Sequence, residues 1–234
     1  MTKNFIFLIF AITATSLHAQ IGKVIASDLF RVDEYIKRND KTLSYTLPKN
    51  YNGTPYFLED FTQGTVFIND SVAAENIPLR YNIYSNEVEV KESLEQSDED
   101  AKPLTKAAAV SFTLQEEHFI FLPFEGSVAE GRYFQELYKG LKVSLLKTTE
   151  KEYISPKGSS SSITRDLKGA FIDHDTFLLM DKAGKIYEMP KRKKQKLLVF
   201  GSKKDAVEAF VKKYDLNINK EEDLKSAVAY FDHL

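Results

Sequence analysis

Asp173-His174-Asp175 sets an imidazole between two carboxylates, residue types that suit a divalent metal or a general base. On a strand the two acids point away from the histidine, so the three meet only where a turn bends the chain. A strand-end turn is the simpler reading of the triplet. Glu116-Glu117-His118 has the same composition and the same difficulty, at the entrance of the apolar run 119–122. The serines at 159–162 offer hydroxyls without the G-x-S-x-G frame that presents a nucleophile rigidly, and after Pro156-Lys157-Gly158 they read as a linker. The basic run Lys191-Arg192-Lys193-Lys194-Gln195-Lys196 could meet phosphates, but no aromatic platform is interleaved with it, and it reads as a solvated hairpin end. Tyr51, Tyr56, Tyr81, Tyr84, Tyr133 and Tyr138 could line a surface for glycan or peptide, although most belong to a core. With 34 acids, a carboxylate pair for hydrolysis is open to many choices, and the sequence assigns no catalytic residue.

Composition removes whole classes of chemistry. The chain has 234 residues and no cysteine, which excludes disulfides, thiolate nucleophiles, zinc-cysteine sites and iron-sulfur clusters. Beyond the leader described next, the histidines are His118, His174 and His233, each in a different predicted element. A transition-metal centre with three or four converging ligands is therefore not expected. Ser97-Asp98-Glu99-Asp100 lacks the spacing and the glycine of an EF-hand loop. No P-loop, G-x-G-x-x-G or H-E-x-x-H motif occurs, so no cofactor is expected. Lys and Arg total 32 against 34 acids, a formal charge of -2 that supplies no field for gathering nucleic acid.

Residues 1–19 have the three parts of a secretory signal peptide: Lys3, an apolar run over 5–14, and the exit Leu17-His18-Ala19. Cleavage after Ala19 would deliver residues 20–234 to the periplasm or the outside, with no transmembrane anchor in the mature chain. A chain of that length can bury about 70% of its unfolded surface and needs no disulfide.

The elements that must position any site follow from periodicity. Alternation from about Tyr56 predicts strands over 57–68, with a break at Gln63-Gly64 and a turn at Asn69-Asp70. The runs 79–84 and 87–91 pair as a hairpin about Ser85-Asn86, with Leu79, Tyr81 and Ile83 on one face and Arg80 and Asn82 on the other. Lys91 to Lys106 is acidic and poor in apolar residues, which predicts a solvated loop. Strands follow at 112–114 and 118–122, and a second hairpin joins 133–138 to 141–145 across Gly140, a glycine suited to positive φ. Further short strands fall at 171–172, 176–180 and 185–189, the last pair turned by Asp181-Lys182-Ala183-Gly184. The period then becomes helical. Ser202 with Asp205 caps a helix bearing Val207, Phe210, Val211 and Tyr214, and Asn219 opens another bearing Leu224, Ala227, Val228 and Phe231. Phe210, Val211, Leu224, Val228 and Phe231 should be buried together.

Gly53-Thr54-Pro55-Tyr56, Gly64-Thr65-Val66 and Pro78-Leu79-Arg80-Tyr81-Asn82-Ile83-Tyr84 resemble the opening of a group of exported proteins common in Bacteroidota. The ending is similar too, with a strand, a lysine-rich helix, the cap at 217–224 and a final helix containing Tyr230-Phe231. The group has no assigned activity, so the resemblance implies location and architecture only. The expected fold is α+β: a largely antiparallel sheet or roll over about 54–200, then a two-helix hairpin over about 203–233, in a single domain. The expected function is non-catalytic binding of a protein, peptide or glycan partner through the sheet. The alternative is a hydrolase with an unrecognised carboxylate pair. Asp70-Ser71-Val72 also matches a three-residue acceptor pattern for O-glycosylation at Ser71.

Overall fold

The computed structural model describes residues 35–36, 48, 50–123, 131–158 and 167–234. The leader with its cleavage point and the serines at 159–162 lie outside the described residues. The strands are β1 (Tyr51–Asn52), β2 (Thr62–Ile68), β3 (Ser71–Asn82), β4 (Glu87–Val90), β5 (Lys102–Pro103), β6 (Val110–Leu114), β7 (Glu117–Leu122), β8 (Arg132–Lys139), β9 (Val143–Ile154), β10 (Gly169–Asp181) and β11 (Ile186–Glu188). The helices are α1 (Lys193–Lys196), α2 (Lys204–Lys213) and α3 (Glu221–Asp232). The fold is α+β. Two compact units divide it, one built on Thr54–Glu116 and one on Lys49–Gly53 with Glu117–Leu234.

In the first unit the strands lie in the order β6-β2-β3-β4-β5, all antiparallel. Asn69 and Asp70, at φ 49 and 59, form the two-residue turn between β2 and β3 that the right-handed twist of a hairpin favours. A Cβ at Gly64 would lie 2.3 Å from the Thr113 carbonyl oxygen, so glycine is what allows β6 to approach β2 there. Val66, Ile77, Leu79, Tyr81, Val88, Phe112 and Leu114 are buried, with Tyr81 edge-on to Phe112 at 5.9 Å.

Two expectations for this unit are corrected. The sheet begins at Thr62 rather than 57, and Tyr56 makes only a single bridge to Asn82. The chain over 56–61 instead carries Tyr56 and Phe61 against Arg80 on the polar side of β3. The acidic stretch after β4 is not simply solvated. It holds a 3-10 turn (Asp98–Asp100) and β5, and it buries Lys91 and Leu104.

In the second unit the order is β1-β10-β9-β8-β7, with β11 also paired to β10. Among the described strands of this unit, only β1 and β10 run parallel. The segments expected as separate strands at 171–172 and 176–180 are one strand of 13 residues. Its register with β9 is unbroken from Val143↔Asp181 to Ile154↔Ala170, and a further bridge joins Lys157 to Leu167. Near the β8–β9 turn both faces of this ribbon are covered: Leu145 and Leu179 join the core under the helices, and Leu146 and Leu178 pack with Phe134 on the other side. Farther out, Glu150, Glu152, Ile154 and residues 172–175 are exposed.

The sheet ends at Glu188, short of the expected residue 200. Leu197 and Phe200 are buried and Leu198 is exposed, a spacing of three that suits the helical turns found over 193–203. Neither expected cap forms. The residues before α2 and α3 are Lys203 and Lys220, and neither makes a side-chain capping bond. Asp223 instead reaches back from the first turn of α3 to accept from the Asn217 amide at 2.8 Å.

The helical hairpin buries Val207, Val211, Leu224, Ala227 and Val228 together, with Phe231 at the edge of the cluster. Phe210 is the exception. It lies half-buried, stacked on Tyr230 at 4.1 Å and against Tyr214 at 4.8 Å. Truncating Phe210 to alanine should therefore cost about 1 kcal/mol, the scale of an aromatic pair. Leu224→Ala should cost about 2 to 5 kcal/mol as a core cavity. Equal shifts of the urea midpoint in the two variants would contradict this ranking.

Candidate functional site

Asp173-His174-Asp175 lies in the middle of β10, not at a turn, and its side chains alternate faces as a strand requires. Each has its own cross-strand partner. Asp173 accepts from Lys151 Nζ at 2.8 Å, directly opposite in register. Asp175 accepts from the Thr149 hydroxyl at 2.6 Å, again directly opposite. His174 Nε2 lies 2.8 Å from Glu152 Oε2 on the other face, in a row where Arg132 binds Glu150 at 2.8 Å. The triplet is a ladder of cross-strand pairs and not a converging cluster. Among the described residues no group of three or more His, Asp or Glu side chains could hold a metal ion.

Glu117 and His118 open β7 and also face cross-strand partners. Gln135 donates to Glu117 at 2.6 Å, and His118 Nδ1 lies 3.2 Å from the largely buried Glu136. Two carboxylates do converge at Lys147, whose ammonium is 2.8 Å from Glu221 at the start of α3 and 3.5 Å from Asp175. Burial opposes the charge on Lys147, but bonds to Glu221 and Asp175 outweigh it and raise its pKa. The two acids are thus engaged as partners of one ammonium and not with each other.

The basic run divides on folding. Lys191, Arg192, Lys193 and Lys194 are exposed, whereas Lys196 is buried and donates to the Ile218 carbonyl at 3.0 Å. Burial lowers the Lys196 pKa. Its charge therefore serves the joint between α2 and α3 and is withdrawn from any phosphate-binding face. Ser71 stands exposed just past the Asn69-Asp70 turn, where its hydroxyl is reachable from solvent.

Among the described residues, a dense assembly of charge lies where sequence reasoning did not look. In the first unit Arg80 of β3 lies directly across from Glu89 of β4 and binds its Oε2 through Nε at 2.8 Å and Nη2 at 2.7 Å. The Glu89 side chain is fully buried. The Arg80 guanidinium is held between the rings of Tyr56 and Phe61, each 4.2 Å from its carbon. Its Nη1 donates to Asp98 Oδ2 at 2.8 Å. Asp98 Oδ1 accepts from Lys91 Nζ at 2.9 Å, and that ammonium also lies 4.4 Å from the Phe61 ring centre. Lys91 donates further to the carbonyls of Leu94 and Gln96, at 3.2 and 2.7 Å. Burial alone would lower the Arg80 pKa, and Glu89 beside it more than restores the charge. Burial alone would raise that of Asp98, and bonding to Lys91 with the charge of Arg80 holds it below its ordinary value.

The signal was partial: the alternation puts Arg80 and Glu89 on the same polar face of the hairpin, but a two-residue turn at Ser85-Asn86 would set Arg80 across from Lys91, and it is the longer turn over 83–86 that sets it across from Glu89. What the alternation lacked was any sign that this face is covered. Beside the cluster, Ile36, Val90, Lys91, Glu92, Gln96, Asp100 and Lys102 line a cavity of about 30 Å³, room for water and not for an organic substrate. Comparison with known protein families, curated proteins and solved structures finds no match to this chain.

Proposed function

We propose that this is an exported protein that acts by binding a peptide or glycan through its sheet, without catalysis. The observation that supports the reading is the outer part of the β9–β10 ribbon. There Glu150, Glu152, Ile154 and residues 172–175 are exposed, with Ile154 and Ile172 on one face beside the Arg132–Glu150 and His174–Glu152 pairs. Side chains locked in cross-strand pairs offer a fixed pattern of charge and apolar surface for recognition.

Binding of the purified protein to immobilised peptides and glycans should be reduced by Ile154→Ser with Ile172→Ser, while the circular dichroism is unchanged. Turnover of a glycoside or ester substrate that is lost in Asp175→Asn would overturn the reading in favour of a hydrolase. Export is tested separately, because the protein recovered from its native envelope should have the intact mass of a chain beginning at Gln20.

A further inference from the structure

The Arg80 cluster contains two cations that are almost wholly buried, with side chains 10% and 4% exposed for Arg80 and Lys91. Glu89 satisfies one edge of the guanidinium from inside. The other counter-ion arrives from outside: Asp98 belongs to the acidic loop, and its side chain is 55% exposed. Its carboxylate sits as a bound ligand would, one oxygen on Arg80 Nη1 and the other on Lys91 Nζ, beside the Phe61 ring that lies against both cations.

The loop that carries Asp98 has anchors of its own. Lys91 holds the carbonyls of Leu94 and Gln96, the Gln96 side chain accepts from the Glu92 amide at 2.8 Å, and the Ala101 amide bonds the Asp98 carbonyl at 3.2 Å. Rotation of the Asp98 side chain would free one bonding position on each cation while those anchors stay in place.

We propose that Arg80 and Lys91, walled by Tyr56 and Phe61, form a carboxylate-binding site that Asp98 occupies in cis, and that a small zwitterionic carboxylate of the amino-acid class displaces it. The class follows from charge. With Asp98 swung out, the cluster holds two cations against Glu89 and accepts one further negative charge. The exposed acids Glu92 and Asp100 line the adjoining cavity with Lys91, and the exposed Glu99 follows Asp98 in the chain. Those acids repel a polyanion such as phosphate and attract the ammonium group of a zwitterion.

The tethered Asp98 competes at high effective concentration, so displacement in the native protein is weak and its removal strengthens binding by at least about tenfold. The test titrates the full chain with glycine, acetate and inorganic phosphate while the Arg80 Nε resonance is followed by NMR, in the native protein and in Asp98→Ala. Expected are saturable shifts with glycine in both, tighter in the variant, weaker with acetate and absent with phosphate. Asp98→Asn, which keeps the side-chain volume, serves if the alanine variant does not fold, and Lys91→Met should abolish the shifts. A shift only in the Asp98 variants would make Asp98 a fixed structural counter-ion and overturn the proposal. Equal response to all three anions, or no response in any protein, would overturn it as well.

Discussion

Replacing Asp232 by alanine is expected to destabilise the second unit by about 3 to 5 kcal/mol, because three backbone amides of the β8–β9 turn lose their shared charged acceptor at once. Asp232 closes α3, and its carboxylate accepts from the amides of Leu141, Lys142 and Val143 at 2.7, 2.6 and 2.8 Å and from the Tyr138 hydroxyl at 3.3 Å. The residue is 2% exposed. Gly140 belongs to the same arrangement. Its φ is not positive, contrary to the expectation from sequence, and its lack of a side chain matters because a Cβ would lie 2.6 Å from the Asp232 carboxyl carbon. Gly140→Ala should therefore weaken the same turn. Burial by itself raises the Asp232 pKa, but the three amides and the tyrosine outweigh it and leave it lowered. A carboxyl whose folded pKa lies below its unfolded value stabilises above the unfolded value, about 3.9, and that contribution is lost as pH falls through the folded value. The native protein should thus lose stability below about pH 4 more steeply than Asp232→Asn does. Urea midpoints measured against pH check both statements, and parallel curves would refute the second.

Arg80→Met should cost about 3 to 5 kcal/mol, because it removes the cation that binds the fully buried Glu89 through two nitrogens. The double variant Arg80→Met with Glu89→Met should be more stable than Arg80→Met alone. A buried ion pair roughly breaks even against apolar groups of similar volume, and the Lys91–Asp98 pair stays balanced without it. A double-mutant cycle from denaturant unfolding measures this coupling, and additive losses would show that Arg80 and Glu89 act independently.

What the sequence disclosed, and what it withheld, divides along local and non-local lines. The hairpins about Ser85-Asn86 and Asp181-Gly184 were legible because the turn residues and the flanking alternation agree. The helical hairpin was legible from its apolar stripes. The reach of β10 through Asp173-His174-Asp175 was not, because three polar residues in succession mimic a turn while cross-strand ion pairs sustain them in a strand. The Arg80 cluster was legible only in part: the alternation puts Arg80 and Glu89 on one face, but their pairing depends on a turn longer than Ser85-Asn86, and Asp98 and the two rings arrive from segments whose local pattern gives no hint of where they fold. The buried state of Lys196 and Asp232 was illegible for the same reason, since their partners Ile218 and 141–143 are joined to them only by tertiary structure.

The bond between Asp232 and the β8–β9 turn also imposes an order of events during synthesis. The turn amides precede their acceptor by 89 to 91 positions along the chain. At ordinary translation rates of about 5 to 20 residues per second, Leu141, Lys142 and Val143 wait roughly 5 to 20 s for the carboxylate that completes them. The β8–β9 hairpin, which pairs residues close in sequence, can form and dissolve repeatedly in that interval without being locked. Until α3 has been made the β8–β9 turn lacks this lock, so the second unit reaches its full resistance to unfolding only when the last helix is in place.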